Sequence, residues 1–75
     1  MTKFYIEDDL AEVYDVDEEE FKKELIQTNK IWNNDCKIEI EKDEVNGTIT
    51  KTWCFEWERL WVVADDYKEL EELGL

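Results

Sequence analysis

The sequence feature that most constrains the fold is the dipeptide Asn46-Gly47, which lies between two segments rich in β-forming residues. A type I′ hairpin turn needs positive φ at both central residues, and Asn-Gly supplies this more readily than most dipeptides. With the turn at this dipeptide, Ile40 is predicted to pair with Trp53, and Ile38 with Phe55. Directly opposed residues share a face of the sheet, so the register also predicts which side chains are buried.

In this register the hairpin has one apolar and one polar face. The predicted apolar face carries Cys36, Ile38, Ile40, Trp53, Phe55 and Trp57. The predicted polar face carries Lys37, Glu39, Glu41, Asp43, Thr50, Thr52, Cys54 and Glu56. Because the two cysteines fall on opposite faces, they cannot meet the geometry of a disulfide. We expect two reduced thiols, with Cys54 the more reactive.

The segment 15–20, Asp-Val-Asp-Glu-Glu-Glu, predicts the start of the main helix. Asp17 fits the N-cap and Glu20 the third helical position, which together resemble a capping box. The residues of one helical stripe then follow at the expected spacing: Phe21, Leu25, Thr28 and Trp32. The pattern predicts a helix over 18–32 that is ended by the polar residues 33–35. The apolar stripe of this helix is expected to cover the apolar face of the hairpin.

The rest of the chain supplies shorter elements. Residues 3–6 suit a short strand or an apolar arm, and residues 60–64 either extend the second hairpin strand or form a third strand. Short helices are predicted over 8–14, from the spacing of its apolar residues, and after Asp65 or Asp66, with Gly74 as the stop.

Together these elements predict one α+β domain spanning residues 1–75, with an antiparallel β-hairpin or three-stranded sheet packed on a main α-helix and short N- and C-terminal helices. The sequence has no signal-peptide pattern and no apolar run long enough to span a membrane, so we expect a cytoplasmic protein.

Charge is the strongest compositional signal. The chain has 22 Asp and Glu against nine Lys and Arg, for a net charge of −13. Such a chain should repel nucleic acid and anionic membranes and attract basic protein surfaces. The charge has two open explanations: an acidic array that approximates the spacing of nucleic-acid phosphates, and a surface that keeps a small protein soluble.

Enzymatic and metal-binding functions find no support in the residue types. The chain has no His and no Ser, which excludes Ser-His and Cys-His catalysis, and it has no Gly-rich loop for phosphate. Asp15 and Asp17 imitate the start of a calcium loop, but Glu20 stands where glycine is needed and Ile26 where a bidentate glutamate is needed. We therefore expect no enzyme, no cofactor and no metal site.

The acidic segment 15–20 and the outward residues Glu39, Glu41, Asp43 and Glu56 give the chain a recognisable composition. It resembles the small acidic phage-encoded inhibitors of host defence, among them anti-CRISPR proteins and DNA mimics. The resemblance lies in composition and carries over no functional residue. It implies an inhibitor that occupies a nucleic-acid site on a host enzyme without chemistry of its own.

Two functional hypotheses follow. The first is an inhibitor that binds the basic surface of a nucleic-acid-binding protein, such as a CRISPR effector, without binding nucleic acid or membrane itself. Its predicted contact residues are Glu7, Asp8, Asp9, Glu18, Glu19, Glu20, Glu39, Glu41, Asp43 and Trp61. The alternative is an adaptor or dimerisation module with an aromatic hot spot of Trp32, Trp61 and Tyr67, whose charge serves solubility. The oligomeric state stays open.

Overall fold

The computed structural model describes residues 2–31 and 36–75, apart from the side chain of residue 31. This part of the chain forms five strands and two helices: β1 (Lys3–Glu7), β2 (Val13–Val16), α1 (Glu18–Ile31), β3 (Lys37–Lys42), β4 (Ile49–Cys54), β5 (Arg59–Ala64) and α2 (Tyr67–Glu72). The strands make one antiparallel sheet in the order β2-β1-β5-β4-β3. The α+β class is confirmed, but the sheet has five strands rather than three, because β1 pairs with β5.

The core lies on one face of the sheet, which we call the inner face. It is formed by Phe4, Phe21, Ile49, Trp53, Phe55, Leu60, Val62, Ala64 and Leu70. The ring of Phe21, from α1, lies 5.3 Å from Phe4 and 5.8 Å from Trp53. Leu70 brings α2 to the same side. Because both helices pack on the inner face, the outer face carries no helix of the described chain.

The start of α1 is confirmed. The side chain of Asp17 accepts a hydrogen bond from the backbone N–H of Glu20 at 2.8 Å, as an N-cap does. Phe21 and Thr28 of the predicted stripe are buried. The predicted last residue, Trp32, and the turn 33–35 lie outside the described residues.

The predicted helix over 8–14 is wrong: these residues form the loop and second strand of a β1–β2 hairpin. The carboxylate of Asp8 accepts hydrogen bonds from the N–H groups of Leu10 and Glu12, each at 2.9 Å. Asp favours turns because its short side chain competes for nearby backbone donors. The loop is completed by Ala11, whose φ of 61° lies in the left-handed region.

The β3–β4 hairpin forms where it is expected, but the predicted register is wrong by two residues. Ile38 pairs with Trp53 and Ile40 with Lys51. The loop closes at Asp43, whose N–H donates to the carbonyl of Thr48 at 2.8 Å. The closing pair therefore leaves four residues in the loop, instead of the two expected from the Asn-Gly dipeptide.

A shift of two residues keeps the side chains within β3 and β4 on their predicted faces, but Phe55, Glu56 and Trp57 lie in the turn after β4, and the burial of β3 differs from expectation. Trp53 and Phe55 are buried, whereas Ile38 and Ile40 are 54% and 50% exposed and Trp57 is 58% exposed. The helices explain the difference: α1 packs on β1 and α2 on β5, so neither covers the edge strand β3. The expectation that the helix covers the whole apolar face is wrong.

The C-terminal segment agrees with the sequence. Residues 59–64 form a separate strand, β5, which pairs with β4 on the side away from β3. Asp66 caps α2, because its side chain accepts a hydrogen bond from the N–H of Glu69 at 2.9 Å. Gly74 follows with a φ of 77°, a conformation that glycine adopts without strain.

Candidate functional site

Acidic side chains converge at one end of the sheet, around two depressions that share Asp8 and Glu58. We call the two together the acidic groove. Its carboxylates are Glu7, Asp8, Asp9, Asp15, Glu20, Glu24, Glu56 and Glu58. The one cation in its lining is Arg59, whose Nε lies 3.8 Å from Glu7.

Three segments build this groove. The β1–β2 hairpin supplies Glu7, Asp8, Asp9 and Asp15, and the first turns of α1 supply Glu20 and Glu24. The third segment is the turn 55–58 after β4, closed by a hydrogen bond of 2.8 Å from the N–H of residue 55 to the carbonyl of residue 58. Acids distant in the sequence are therefore neighbours in space.

Glu58 shows the effect of this crowding. The hydroxyl of Thr28, which has a single proton, lies 3.0 Å from a carboxylate oxygen of Glu58 and 3.4 Å from one of Glu24. Partial burial raises the pKa of Glu58, and the charges of Glu24 and Asp8 raise it further, while the bond from Thr28 opposes the shift. A carboxyl group among carboxylates is harder to ionise.

Tyr14 lies in the same field. Its hydroxyl donates to Glu12 at 2.6 Å, and this hydrogen bond, with smaller contributions that include the charge of Asp8, raises the pKa of Tyr14 to about 12. The largest cause of the pKa shift is partial burial for Glu58 and the hydrogen bond to Glu12 for Tyr14, and the charge of Asp8 is a minor cause of both.

The groove gathers four of the predicted contact residues: Glu7, Asp8, Asp9 and Glu20. Glu18 pairs with Lys22 at 3.2 Å instead. Glu19 lines a separate shallow depression at the start of α1.

Sequence reasoning did not select four acids of the groove: Asp15, Glu24, Glu56 and Glu58. Glu24 could have been predicted from the sequence, since it lies one helical turn after Glu20 and so on the same face of α1. Glu58 carried no signal, because only the turn after β4 brings it back towards α1.

The outer face of the sheet is a second candidate surface. Tyr5 and Trp61 stack at its centre, with ring centroids 5.5 Å apart and planes 21° from parallel. In register with them lie Asp15 on β2, Thr52 on β4 and Glu39 on β3. Trp61 is half-buried, so part of its ring is available on this face.

Most acids of the predicted outer cluster have other roles in the structure. Glu39 lies 3.5 Å from Lys37, which shares its face. Asp43 serves the hairpin loop, and hydrogen bonds from the backbone of Val45 and Asn46 lower its pKa. The fourth predicted acid, Glu56, lies in the acidic groove, which leaves Glu41 as the one member of the cluster with none of these roles.

Of the three aromatic residues of the alternative hypothesis, the two that the structure describes, Trp61 and Tyr67, do not share a surface. Trp61 lies on the outer face, whereas Tyr67 is exposed on α2, which packs on the inner face. Trp32 is outside the described residues.

Both cysteines are free thiols and half-buried. Burial raises the pKa of Cys36, which lowers its thiolate fraction, and the charge of Cys54 adds to the shift. The greater reactivity of Cys54 stays a prediction. Within residues 2–31 and 36–75, no three Asp, Glu or Cys side chains are placed to hold a metal ion, and no helix is long and apolar enough to cross a membrane.

Comparison of the chain with known protein families, with curated proteins and with solved structures finds no match.

Proposed function

We propose that this protein is a non-enzymatic inhibitor that places its acidic groove against the basic, nucleic-acid-binding surface of another protein. The observation that supports the proposal is the convergence of carboxylates from three segments on one groove. Guanidinium and ammonium groups are the natural occupants, because they form charge-assisted hydrogen bonds with carboxylates.

The charge exceeds the needs of solubility. A net charge of about 2–8 in magnitude suffices for a small domain, whereas this chain carries −13. The groove's own Arg59 is already beside Glu7. A basic partner relieves the repulsion among the remaining carboxylates, which favours complex formation.

An inhibitor of this kind competes with nucleic acid for its partner's site. The target class is therefore a DNA- or RNA-binding enzyme with a basic channel, and a CRISPR effector is one example. Electrostatic steering makes such an association fast and dependent on salt.

Charge reversal at two groove residues without structural duties tests the proposal. Asp9 and Glu56 are exposed and make no hydrogen bond or ion pair in the described structure, so Asp9→Lys with Glu56→Lys should leave the fold intact. Glu44→Lys with Glu72→Lys is the matched control, since these exposed residues lie outside the groove and change the net charge equally.

Each variant is immobilised and exposed to a bacterial lysate at about 50 and about 200 mM salt, with bound proteins identified by mass spectrometry. We expect the wild type and the control to capture nucleic-acid-binding proteins that are released by salt and by duplex DNA, and the groove variant to lose them. Equal capture by the groove variant and its control, or capture that DNA does not displace, contradicts the proposal.

The stacked pair on the outer face favours a second candidate, an adaptor anchored by Trp61. This function predicts that Trp61→Ala abolishes capture, that both charge-reversed variants bind normally, and that salt has little effect.

A further inference from the structure

β3 is an edge of the sheet, with no strand beyond it among the strands that the structure describes. An edge strand presents a row of backbone N–H and C=O groups that a strand of another chain can pair with. Proteins often protect such an edge with a very short strand or an inward-pointing charge. β3 is six residues long, and its inner-face row is Ile38, Ile40 and, at the end of the strand, Lys42, the single charge in that row.

These two isoleucines are the uncovered part of the inner face. They are 54% and 50% exposed, although they lie beside the buried Trp53. The two helices pack on the core side of the interior strands and do not reach β3. Ile38 and Ile40 therefore form an exposed apolar row along this edge.

We propose that β3 pairs antiparallel with β3 of a second copy of this chain, which joins the two sheets edge to edge. A two-fold axis at Glu39 sets the register. On the inner face, Ile38 of each copy then lies opposite Ile40 of the other, because opposed residues share a face. On the outer face, Lys37 of each copy lies opposite Glu41 of the other.

Charge complementarity selects this register. An axis at Ile40 places Glu39 opposite Glu41 twice and sets Ile38 against Lys42. An axis at Ile38 leaves only residues 37–39 of the strand paired. At the Glu39 axis the one like-charge contact joins the two Glu39 side chains, each of which lies 3.5 Å from its own Lys37.

Of the groove's acids, those of the β1–β2 loop are too far from β3 to oppose this contact, whereas Glu56 and Glu58 lie closer, in the turn after β4. Three steps across the sheet, of about 4.8 Å each, separate β3 from β1, so the charges of the β1–β2 loop are farther away than the Debye length of about 8 Å at physiological salt. The dimer presents two acidic grooves at the far sides of a continuous sheet. It would bind a partner with repeated basic sites by avidity.

Sedimentation velocity over a concentration series tests the dimer. We expect the wild-type chain to dimerise and Ile40→Lys to remain monomeric, because an ammonium group then faces Ile38 of the second copy. Ile40 is half-exposed, so the variant should fold, and circular dichroism checks this. Val45→Lys is the matched control: Val45 is 91% exposed in the hairpin loop, and this variant should dimerise normally.

A charge exchange tests the register. Lys37→Glu and Glu41→Lys each place like charges opposite one another twice, and each should raise the dimer Kd by about tenfold or more. An equimolar mixture of the two variants restores opposite charges at both pairs, so native mass spectrometry should show the heterodimer in excess over either homodimer.

A wild-type chain that sediments as a monomer throughout overturns the proposal. A dimer that survives Ile40→Lys but is lost on Trp61→Ala also overturns it, because the contact then lies on the outer face. A mixture that shows no excess of heterodimer overturns the register.

Discussion

The two outer hairpins of the sheet are closed by the same device and differ in what surrounds them. In the β1–β2 hairpin, Asp8 accepts from the N–H groups two and four residues later; in the β3–β4 hairpin, Asp43 accepts from those two and three residues later. A residue with positive φ completes each loop, Ala11 in the first and Gly47 in the second.

The comparison indicates that the aspartate decides where each loop closes, while Gly47 supplies the positive φ and the side-chain amide of Asn46 donates to Asp43 at 3.0 Å. It also explains the error of two residues in the predicted register, since Asp43 begins the loop three residues before the dipeptide. A further difference lies in the edge strands: β2 ends at Val16, which packs against the core, whereas β3 is left uncovered.

Removal of the two aspartates should have the largest effect and the clearest asymmetry. Asp8→Ala is expected to lower the free energy of unfolding by about 1–2 kcal/mol, because two backbone N–H groups lose a charged acceptor at the end of a central strand. Asp43→Ala should cost less, since Asp43 follows the edge strand β3, whereas Asp8 follows the interior strand β1. Urea denaturation measures both, and equal losses would show that strand position does not matter.

Exchanging the positive-φ residues should have a smaller effect of opposite sign in the two hairpins. Ala11→Gly is expected to stabilise by about 1 kcal/mol and Gly47→Ala to destabilise by about the same amount, because a Cβ is disfavoured in the left-handed region. A Cβ at Gly47 meets no atom within 4 Å, so its cost comes from the backbone alone. Thermal unfolding of both variants checks the signs, and loss of stability in Ala11→Gly would contradict this explanation.

The pH dependence of stability should show the smallest effect. It should have opposite signs for Asp43, in the β3–β4 hairpin, and Glu58, in the acidic groove beside the β1–β2 hairpin. The pKa of Asp43 is lowered, so its contribution to stability is present above about pH 3.8 and is lost as pH falls through the folded-state pKa. The pKa of Glu58 is raised, so its contribution is present below about pH 4.5 and is lost as pH rises through the folded-state pKa.

Glu58→Gln keeps the acceptor for Thr28 and removes the charge. We expect a modest gain of stability at neutral pH and none at pH values below about 4.5, measured as the midpoint of thermal unfolding against pH. A loss at neutral pH would mean that the Glu58 carboxylate stabilises the fold.

The sequence was informative where structure is local. The Asp17 cap and the Gly74 stop each depend on residues within one turn, and both are where the pattern placed them. The spacing of Leu10, Val13 and Tyr14 led to the wrong prediction of a helix over 8–14. All three side chains are exposed, so their helical spacing does not reflect packing against a core.

The features that sequence could not supply depend on contacts between distant segments. No local pattern says that β1 pairs with β5, and without that pair the sheet has three strands. The acidic groove has the same origin, since Asp8, Glu24 and Glu58 come from three separate elements. Four of its acids were predicted because they are clustered in sequence as well as in space.

The central place of β1 beside β5 has a consequence for how the chain folds. Their partners are 52 residues apart at Glu7 and Arg59 and 60 apart at Lys3 and Val63. The β1–β2 and β3–β4 hairpins need only short loops and can form within microseconds, but an isolated hairpin is marginally stable. We therefore expect closure of the long β1–β5 contact to limit the folding rate. With no proline in the chain, no slow peptide-bond isomerisation competes with this step.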